Sequence, residues 1–229
     1  MAISDKLTTL NGIKSDIKAA IIAKGGTVEN DFTTYATAIS NLPSGGGSDD
    51  LKNLIERDIT SLDIPAGTTI IGQHVFNYCA YLTSIAIPDS VTYIDNYAFQ
   101  ACTSLTSVTI PDSVTGIGNY AFNNCTHLTS VTIGDSVTTI GGSAFRGCHG
   151  LTSVTIGNSV TSIYNYAFSE CTSLTSITSL NTTPPTIQSS TFNNVPTTCP
   201  IYVPTESVDT YKEEQYWSSR ADYIQAIQE

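Results

Sequence analysis

Residues 113–135 read SVTGIGNYAFNNCTHLTSVTIGD, and residues 136–158 read SVTTIGGSAFRGCHGLTSVTIGN, the same phrase one period of 23 later. It occurs again at 90–112 (SVTYIDNYAFQACTSLTSVTIPD), at 159–181 (SVTSIYNYAFSECTSLTSITSLN) and, more loosely, at 67–89 (GTTIIGQHVFNYCAYLTSIAIPD). Five copies follow one another without an insertion, and a half-copy, Ile59 to Pro65, precedes them. A fixed period of this length is the mark of a solenoid.

The columns of the repeat specify its core. Ile71, Ile94, Ile117, Ile140 and Ile163 form one column, and Phe76, Phe99, Phe122, Phe145 and Phe168 a second. Cys79, Cys102, Cys125, Cys148 and Cys171 form a third, and Leu82, Leu105, Leu128, Leu151 and Leu174 a fourth. One unit cannot bury these side chains alone. Stacked at the ~4.8 Å spacing of paired strands, each column becomes a continuous inward ladder. The alternation in Ser107-Val-Thr-Ile110 turns Val108 and Ile110 inward and Ser107 and Thr109 outward, so this segment is the parallel strand of each rung. Ser113 to Ile117 reads as a shorter extended stretch, and Asn119 to Cys125 as a return of the chain through a helical turn. Asp89, Asp112, Asp135 and Asn158 mark the bend after the strand. Six strands, at Ile59, Leu82, Leu105, Leu128, Leu151 and Leu174, are expected in one parallel sheet of a right-handed solenoid.

Over residues 51–204 the pattern I-G-x-x-A-F-x-x-C-x-x-L-x-x-V-x-I resembles the BspA-like leucine-rich repeats. That resemblance implies a β-rich leucine-rich-repeat solenoid closed by a cap, acting as a surface adhesin or interaction module without catalysis. The stretch Thr182 to Lys212, with its prolines at 184, 185, 196, 200 and 204, looks like such a closing cap.

The ends need covering, because a solenoid otherwise exposes its last rungs. Asp49 to Arg57 reads as a short capping helix, acidic at its N-terminus and basic at its C-terminus, as the helix dipole favours. Residues 205–229 read as a helical C-terminal cap: Thr205 caps a helix carrying Val208 and Tyr211, and Ser219 with Asp222 opens a second one into Ile224 and Ile227. Trp217, the single tryptophan, is expected to plug the core.

Residues 44–50 begin Ser-Gly-Gly-Gly-Ser and form a linker. Ahead of it, residues 1–43 make a two-helix module. Its apolar stripe comprises Ile3, Leu7, Leu10, Ile13, Ile17 and Ile21 on the first helix, and Phe32, Tyr35, Ile39 and Leu42 on the second. A pair this small cannot enclose a core, so the stripe is expected to anchor or oligomerise the chain. The module is similar to leader modules of bacteriophage virion and tail-associated proteins. The resemblance rests on L-x-x-I-K-x-x-I-x-x-A-I-x-x-K-G and F-x-x-Y-A-x-A-I, and it implies attachment to virion proteins.

Composition narrows the partners. The formal charge is −11, charged residues are only 13% of the chain, and Arg146 is the only Lys or Arg between Arg57 and Lys212. Binding to nucleic acid or to an anionic membrane needs a line of cations, so neither is expected. The longest apolar run, Ala19 to Ala23, is far too short to span a bilayer, and no secretory signal is legible at the start.

Catalytic chemistry is not written in the repeats. The cysteine column stretches along a line and cannot converge on a tetrahedral metal; buried free thiols are expected, with Cys199 left open. His74, His127 and His149 occupy three different columns, with no third ligand and no acid placed for acid–base work. No cofactor or metal is expected, and no enzyme. The candidate ligand face is the outward strand lattice: Ser84, Ser107, Thr109, Ser130, Thr132, Ser153, Thr155, Ser176 and Thr178. Such hydroxyls suit a cell-surface glycan or a protein backbone, and equally suit water. The column Tyr97, Tyr120 and Tyr166, which His74 and Ser143 complete, is either a stacking ridge for a sugar or structural packing. The leading expectation is a non-enzymatic virion protein, such as a fibre, decoration or receptor-recognition protein, homo-oligomeric through residues 1–43. The alternative is a bacterial surface or secreted adhesin that binds host glycoprotein or glycan. An ice- or mineral-binding lattice is the third reading.

Overall fold

The computed structural model describes residues 61–64 and 66–228. The expected module at 1–43, the linker at 44–50 and the cap helix at 49–57 lie outside the described residues, as do the anchoring positions Ile3 through Ile39.

Each rung contributes two strands. The longer ones are β1 (Ser61–Asp63), β3 (Ser84–Ala86), β5 (Ser107–Ile110), β7 (Ser130–Ile133), β9 (Ser153–Ile156) and β11 (Ser176–Ser179). The shorter are β2 (Ile70–Ile71), β4 (Tyr93–Ile94), β6 (Gly116–Ile117), β8 (Thr139–Ile140) and β10 (Ser162–Ile163). All pair in parallel with like residues opposite one another, Val108 on Val131 and Ile94 on Ile117 for example. The side-chain period is two, so this register stacks the Val and Ile of successive longer strands on the inner face, while Ala86 and Tyr93 face outward.

The expected six strands are all present, two residues beyond each column position, but not in one sheet. β1 pairs only with β3, and the main sheet begins at β5. Thr106 N–H still bonds the Thr83 carbonyl at 3.1 Å, so the rungs stay joined where the ladder is interrupted.

The core is the stack of columns. Phe99, Phe122, Phe145 and Phe168, with Cys102, Cys125, Cys148 and Cys171, are all 0% exposed. Successive phenylalanine rings from Phe76 to Phe168 stack 4.9–5.3 Å apart. Burying each ring stabilises the rung by roughly 1.5–3 kcal/mol, but only while the neighbouring rung is present.

The return segment is not helical, contrary to the sequence expectation. Tyr97, Ala101, Tyr120 and Asn124 hold φ of 58–60°, the left-handed region. Backbone bonds alternate in direction as a result. The N–H groups of Tyr97, Phe99 and Ala101 reach the next rung at Asn119, Ala121 and Asn123, while those of Ala98, Gln100 and Cys102 close local turns. A helix would satisfy each rung internally and leave nothing to join it to the next. The inter-rung bonds override local preference here.

The cap is helical only in part. After β12 (Ile201–Val203) come a 3-10 turn (Thr205–Ser207), helix α1 (Val208–Glu213) and a second 3-10 segment (Ser218–Tyr223). Ile224, expected in a helix, instead begins strand β13 (Ile224–Ala226), which pairs with β12 and extends the main sheet. The unpaired edge of β12 supplies backbone partners that a lone helical turn lacks. Trp217 is fully buried, as expected: it follows Phe192 at the end of the phenylalanine stack (5.6 Å) and meets Tyr211 edge-on (5.1 Å).

Candidate binding surfaces

The outward strand face is built by the alternation that buries Val108 and Ile110. Ser84, Ser107, Thr109, Ser130 and Thr132 are exposed, and Ser153, Thr155, Ser176 and Thr178 are half-buried. Two flanking threonine columns use their hydroxyls structurally. Thr106, Thr129, Thr152 and Thr175 each donate to the carbonyl of the equivalent residue one rung back at 2.9–3.1 Å. Thr92, Thr115, Thr138 and Thr161 do the same at 3.0–3.1 Å. Among the described residues, the nine candidate hydroxyls stand outside both ladders. The structure thus separates threonines that close the backbone from those turned to solvent, a distinction invisible in the letters.

Two members of this face escaped the sequence reading. β12 places Tyr202 opposite Thr178, and β13 places Gln225 opposite Tyr202. The alternation Ile201-Tyr-Val203 was the available signal, with both aliphatic residues fully buried.

The turn column forms a second surface. His74, Tyr97 and Tyr120 stack at 4.7 and 4.9 Å, so ring packing joins these rungs. Tyr166 stands apart, 45% exposed, beneath the Arg146 guanidinium, which is 6.0 Å from its ring centre and 2.8 Å from the Glu170 carboxylate. Tyr78, Tyr81, Tyr93 and Tyr164 are further exposed rings.

Neither surface is arranged as a catalytic site. The buried thiols donate to backbone carbonyls, and burial pushes those of Cys125 and Cys148 well up and that of Cys171 to about 12, so they are not nucleophiles. None of the six cysteines, all among the described residues, is in a disulfide; Cys79 is half-buried, and Cys199 is buried in the cap. Its thiol is raised by burial against the opposing pull of Arg220. His127 Nδ1 lies 2.6 Å from the Thr103 carbonyl, and His74 Nδ1 accepts from Asn77 at 3.1 Å. Among the described residues no group of side chains could hold a metal ion, and no helix is long and apolar enough to cross a membrane.

The model of the BspA type leucine-rich repeat region matches residues 54–174 and 138–226, in six copies. A leucine-rich repeat protein of T. pallidum is 34% identical over 52% of this chain and 55% of its own, with a TM-score of 0.50. One from Eubacterium ventriosum is 27% identical over 56% of this chain and 34% of its own, with a TM-score of 0.51. The pneumococcal vaccine antigen PcpA shares the fold at 23% identity and a TM-score of 0.62, over 74% of this chain and 42% of its own. The chain thus spans about half or less of the length of these relatives. No curated protein matches it. The family is defined by its repeat, and no catalytic family is indicated.

Proposed function

The chain belongs to the BspA type leucine-rich repeat family, and from that membership and its outward strand face we propose that it is a non-enzymatic binding protein of a bacterial surface or its surroundings. Its partner is a host glycoprotein or glycan. The observation that carries the reading is the in-register row of uncharged hydroxyls on the strand face, held on a rigid sheet and left out of the threonine ladders. Pre-positioned neutral hydroxyls recognise sugars and peptide backbone without the desolvation cost of buried charge. The test is adhesion of the full chain to immobilised mucin. Lysines at Ser130 and Thr132 should abolish binding while the melting temperature holds. Undiminished binding by that variant would remove the strand face from the account.

The virion reading takes second place, since the apolar stripe of residues 1–43 is what favours it. We propose that this stripe anchors the chain or joins copies of it. Light scattering on the full chain and on its Ile17→Asp, Ile21→Asp variant checks this: the wild type should be oligomeric and the variant monomeric. Immunogold labelling of intact cells against purified particles separates the two readings of location.

A further inference from the structure

The outward strand face repeats along the solenoid axis, and its period selects among the backbones that could lie on it. Thr109, Thr132, Thr155 and Thr178 stand opposite one another across the parallel ladder, one per rung, and Tyr202 takes the next place in the row. One period before Thr109 the column holds Ala86, which has no hydroxyl, so the row begins at Thr109. Thr109 and Thr132 are exposed, and Thr155, Thr178 and Tyr202 are half-buried. A parallel row of serines runs beside it through Ser130, and neither row carries a charged side chain from β5 to β12.

Rungs of a parallel sheet repeat every ~4.8 Å, so two rungs cover about 9.6 Å. One turn of polyproline II helix, three residues, rises about 9.3 Å. A carbonyl of such a chain that faces the threonine row therefore returns to it at every second rung. Over the four intervals from Thr109 to Tyr202 the two periods part by only about 0.6 Å. Other backbones fall out of step. An extended strand presents the same side every ~6.6 Å and meets the rungs only once in about 20 Å. An α-helix, at ~5.4 Å per turn, drifts by about 2.4 Å over four rungs and keeps its carbonyls for itself.

The chemistry agrees with the spacing. A polyproline II chain has no internal hydrogen bonds and proline has no N–H, so its backbone offers acceptors only. The hydroxyls of this row stand outside the two threonine ladders, and each can donate one hydrogen bond. Neutral donors meet neutral acceptors, and no charge is stripped of water. The chain is already extended before it docks, so little freedom is lost. Tyr202, at the end of the row, supplies the aromatic ring on which a proline packs in this mode of recognition.

We propose that the strand face from Thr109 to Tyr202 binds a proline-rich segment of a partner polypeptide in the polyproline II conformation, laid across the strands with three residues to every two rungs. The inference rests on the strand face being the binding surface, and it names the protein part of a glycoprotein as what that face holds.

The four intervals span about 19 Å, the length of about six polyproline II residues. Isothermal titration of the full chain with blocked oligoprolines should therefore show no binding at three residues, binding at six, and at most about a twofold further gain at nine. A Gly-Ser peptide of six residues should not bind, because it must first be ordered. Tyr202→Ala should weaken the six-residue oligoproline about tenfold, and Tyr202→Phe should keep its affinity, since the ring is what proline meets. Thr132→Val removes a hydroxyl, keeps the shape and should weaken binding about fivefold. Oligoproline that does not bind, equal binding of the Gly-Ser peptide, or indifference to both Tyr202→Ala and Thr132→Val would overturn the proposal. If cellohexaose bound and oligoproline did not, the face would take sugars, so this proposal would fall and the preceding reading would stand. Failure of mucin adhesion, with oligoproline binding as described, would leave it standing.

Discussion

The thiol of Cys125 donates to the carbonyl oxygen of Phe99 across 3.2 Å, joining the cysteine column of one rung to the phenylalanine column of the rung before. Cys102, Cys148 and Cys171 repeat the contact with Phe76, Phe122 and Phe145 at 3.1–3.2 Å. The column is therefore more than filler. A small apolar side chain packs there, and its weak donor meets a carbonyl that would otherwise be buried beside it.

Thiol reactivity should report this directly. A thiol reagent at neutral pH should modify half-buried Cys79 first, and Cys102, Cys125, Cys148 and Cys171 only after unfolding. A reducing agent should leave Tm unchanged. Rapid modification of Cys125 in the native protein would contradict the inward column.

Alkaline stability follows from the same burial. The folded-state pKa of Cys125, Cys148 and Cys171 is raised, and Tyr211 is also pushed to about 12 by burial. Above the unfolded thiol value of about 8.5, the unfolded chain loses protons that the native chain keeps, so stability falls as pH rises, by about 1.4 kcal/mol per unit for each such thiol. Denaturant midpoints should be flat from pH 6 to about 8 and decline steeply towards about 11. Replacing Cys125 and Cys148 by Ala should flatten that decline, even though it lowers stability at neutral pH.

Inward and outward positions should separate by energy. Phe122 lies between Phe99 at 4.9 Å and Phe145 at 5.2 Å with no exposure. Phe122→Ala should cost about 3–5 kcal/mol in a urea titration, and exposed Thr132→Ala less than about 0.5. Equal losses would mean that the strand faces are misassigned.

The core columns were legible because a 23-residue period leaves little freedom: each aliphatic letter must return to the same height on the next rung. The turn was not. In Asn119 to Cys125 only Ala121 is a strong helix former, Asn124 is a residue type that tolerates positive φ, and no local signal marks Tyr120 for the same conformation. That conformation is selected by the next rung's carbonyls, a non-local cause. The rung at 182–203 was hidden for a different reason. Ile187 and Phe192 follow Ile163 and Phe168 by 24 residues, one more than the period, after Pro184 and Pro185. Phe192 nonetheless stacks on Phe168 at 5.7 Å. The binding surfaces were half legible. The outward hydroxyls follow from alternation, whereas the division of labour among threonines depends on which rung stands beside which.

Close approach of the rungs gives a further prediction. A Cβ at Gly134 would stand 2.6 Å from the Pro111 carbonyl oxygen, a backbone atom that cannot give way. At Gly142 the nearest atom is the Asn119 side-chain oxygen at 3.3 Å. Gly134→Ala should therefore cost about 1–3 kcal/mol, as overpacking does, and Gly142→Ala little. Paired thermal melts would show it; a larger loss at Gly142 than at Gly134 would mean that the close approach of the rung backbones does not set these costs.

The last prediction concerns the C-terminal end, where the stack of columns must stop. Trp217 covers Phe192, and its indole N–H donates to the Pro185 carbonyl at 2.8 Å. Arg220 lies 5.7 Å over the Phe192 ring and donates to the carbonyls of Pro196, Val195 and Phe192 at 2.9, 3.1 and 3.3 Å. One cation thus gathers three carbonyls of this turn, and it is the donor to that of Val195, while Phe192 and Pro196 also accept from the Val195 and Cys199 N–H groups. A solenoid is held by nearest-neighbour contacts, so damage at its end should unravel the end first. Acrylamide should quench Trp217 fluorescence poorly in the native protein. Arg220→Ala leaves the Val195 carbonyl without a donor, since Phe192 and Pro196 still accept from the Val195 and Cys199 N–H groups, and a buried group left unsatisfied costs about 1–3 kcal/mol. The variant should raise quenching at denaturant concentrations where circular dichroism of the repeats is still native. Phe122→Ala, in mid-stack, should instead lower the global transition without that early phase. If both variants gave a single coincident transition, Arg220 would be part of the cooperative core rather than a clasp on its end.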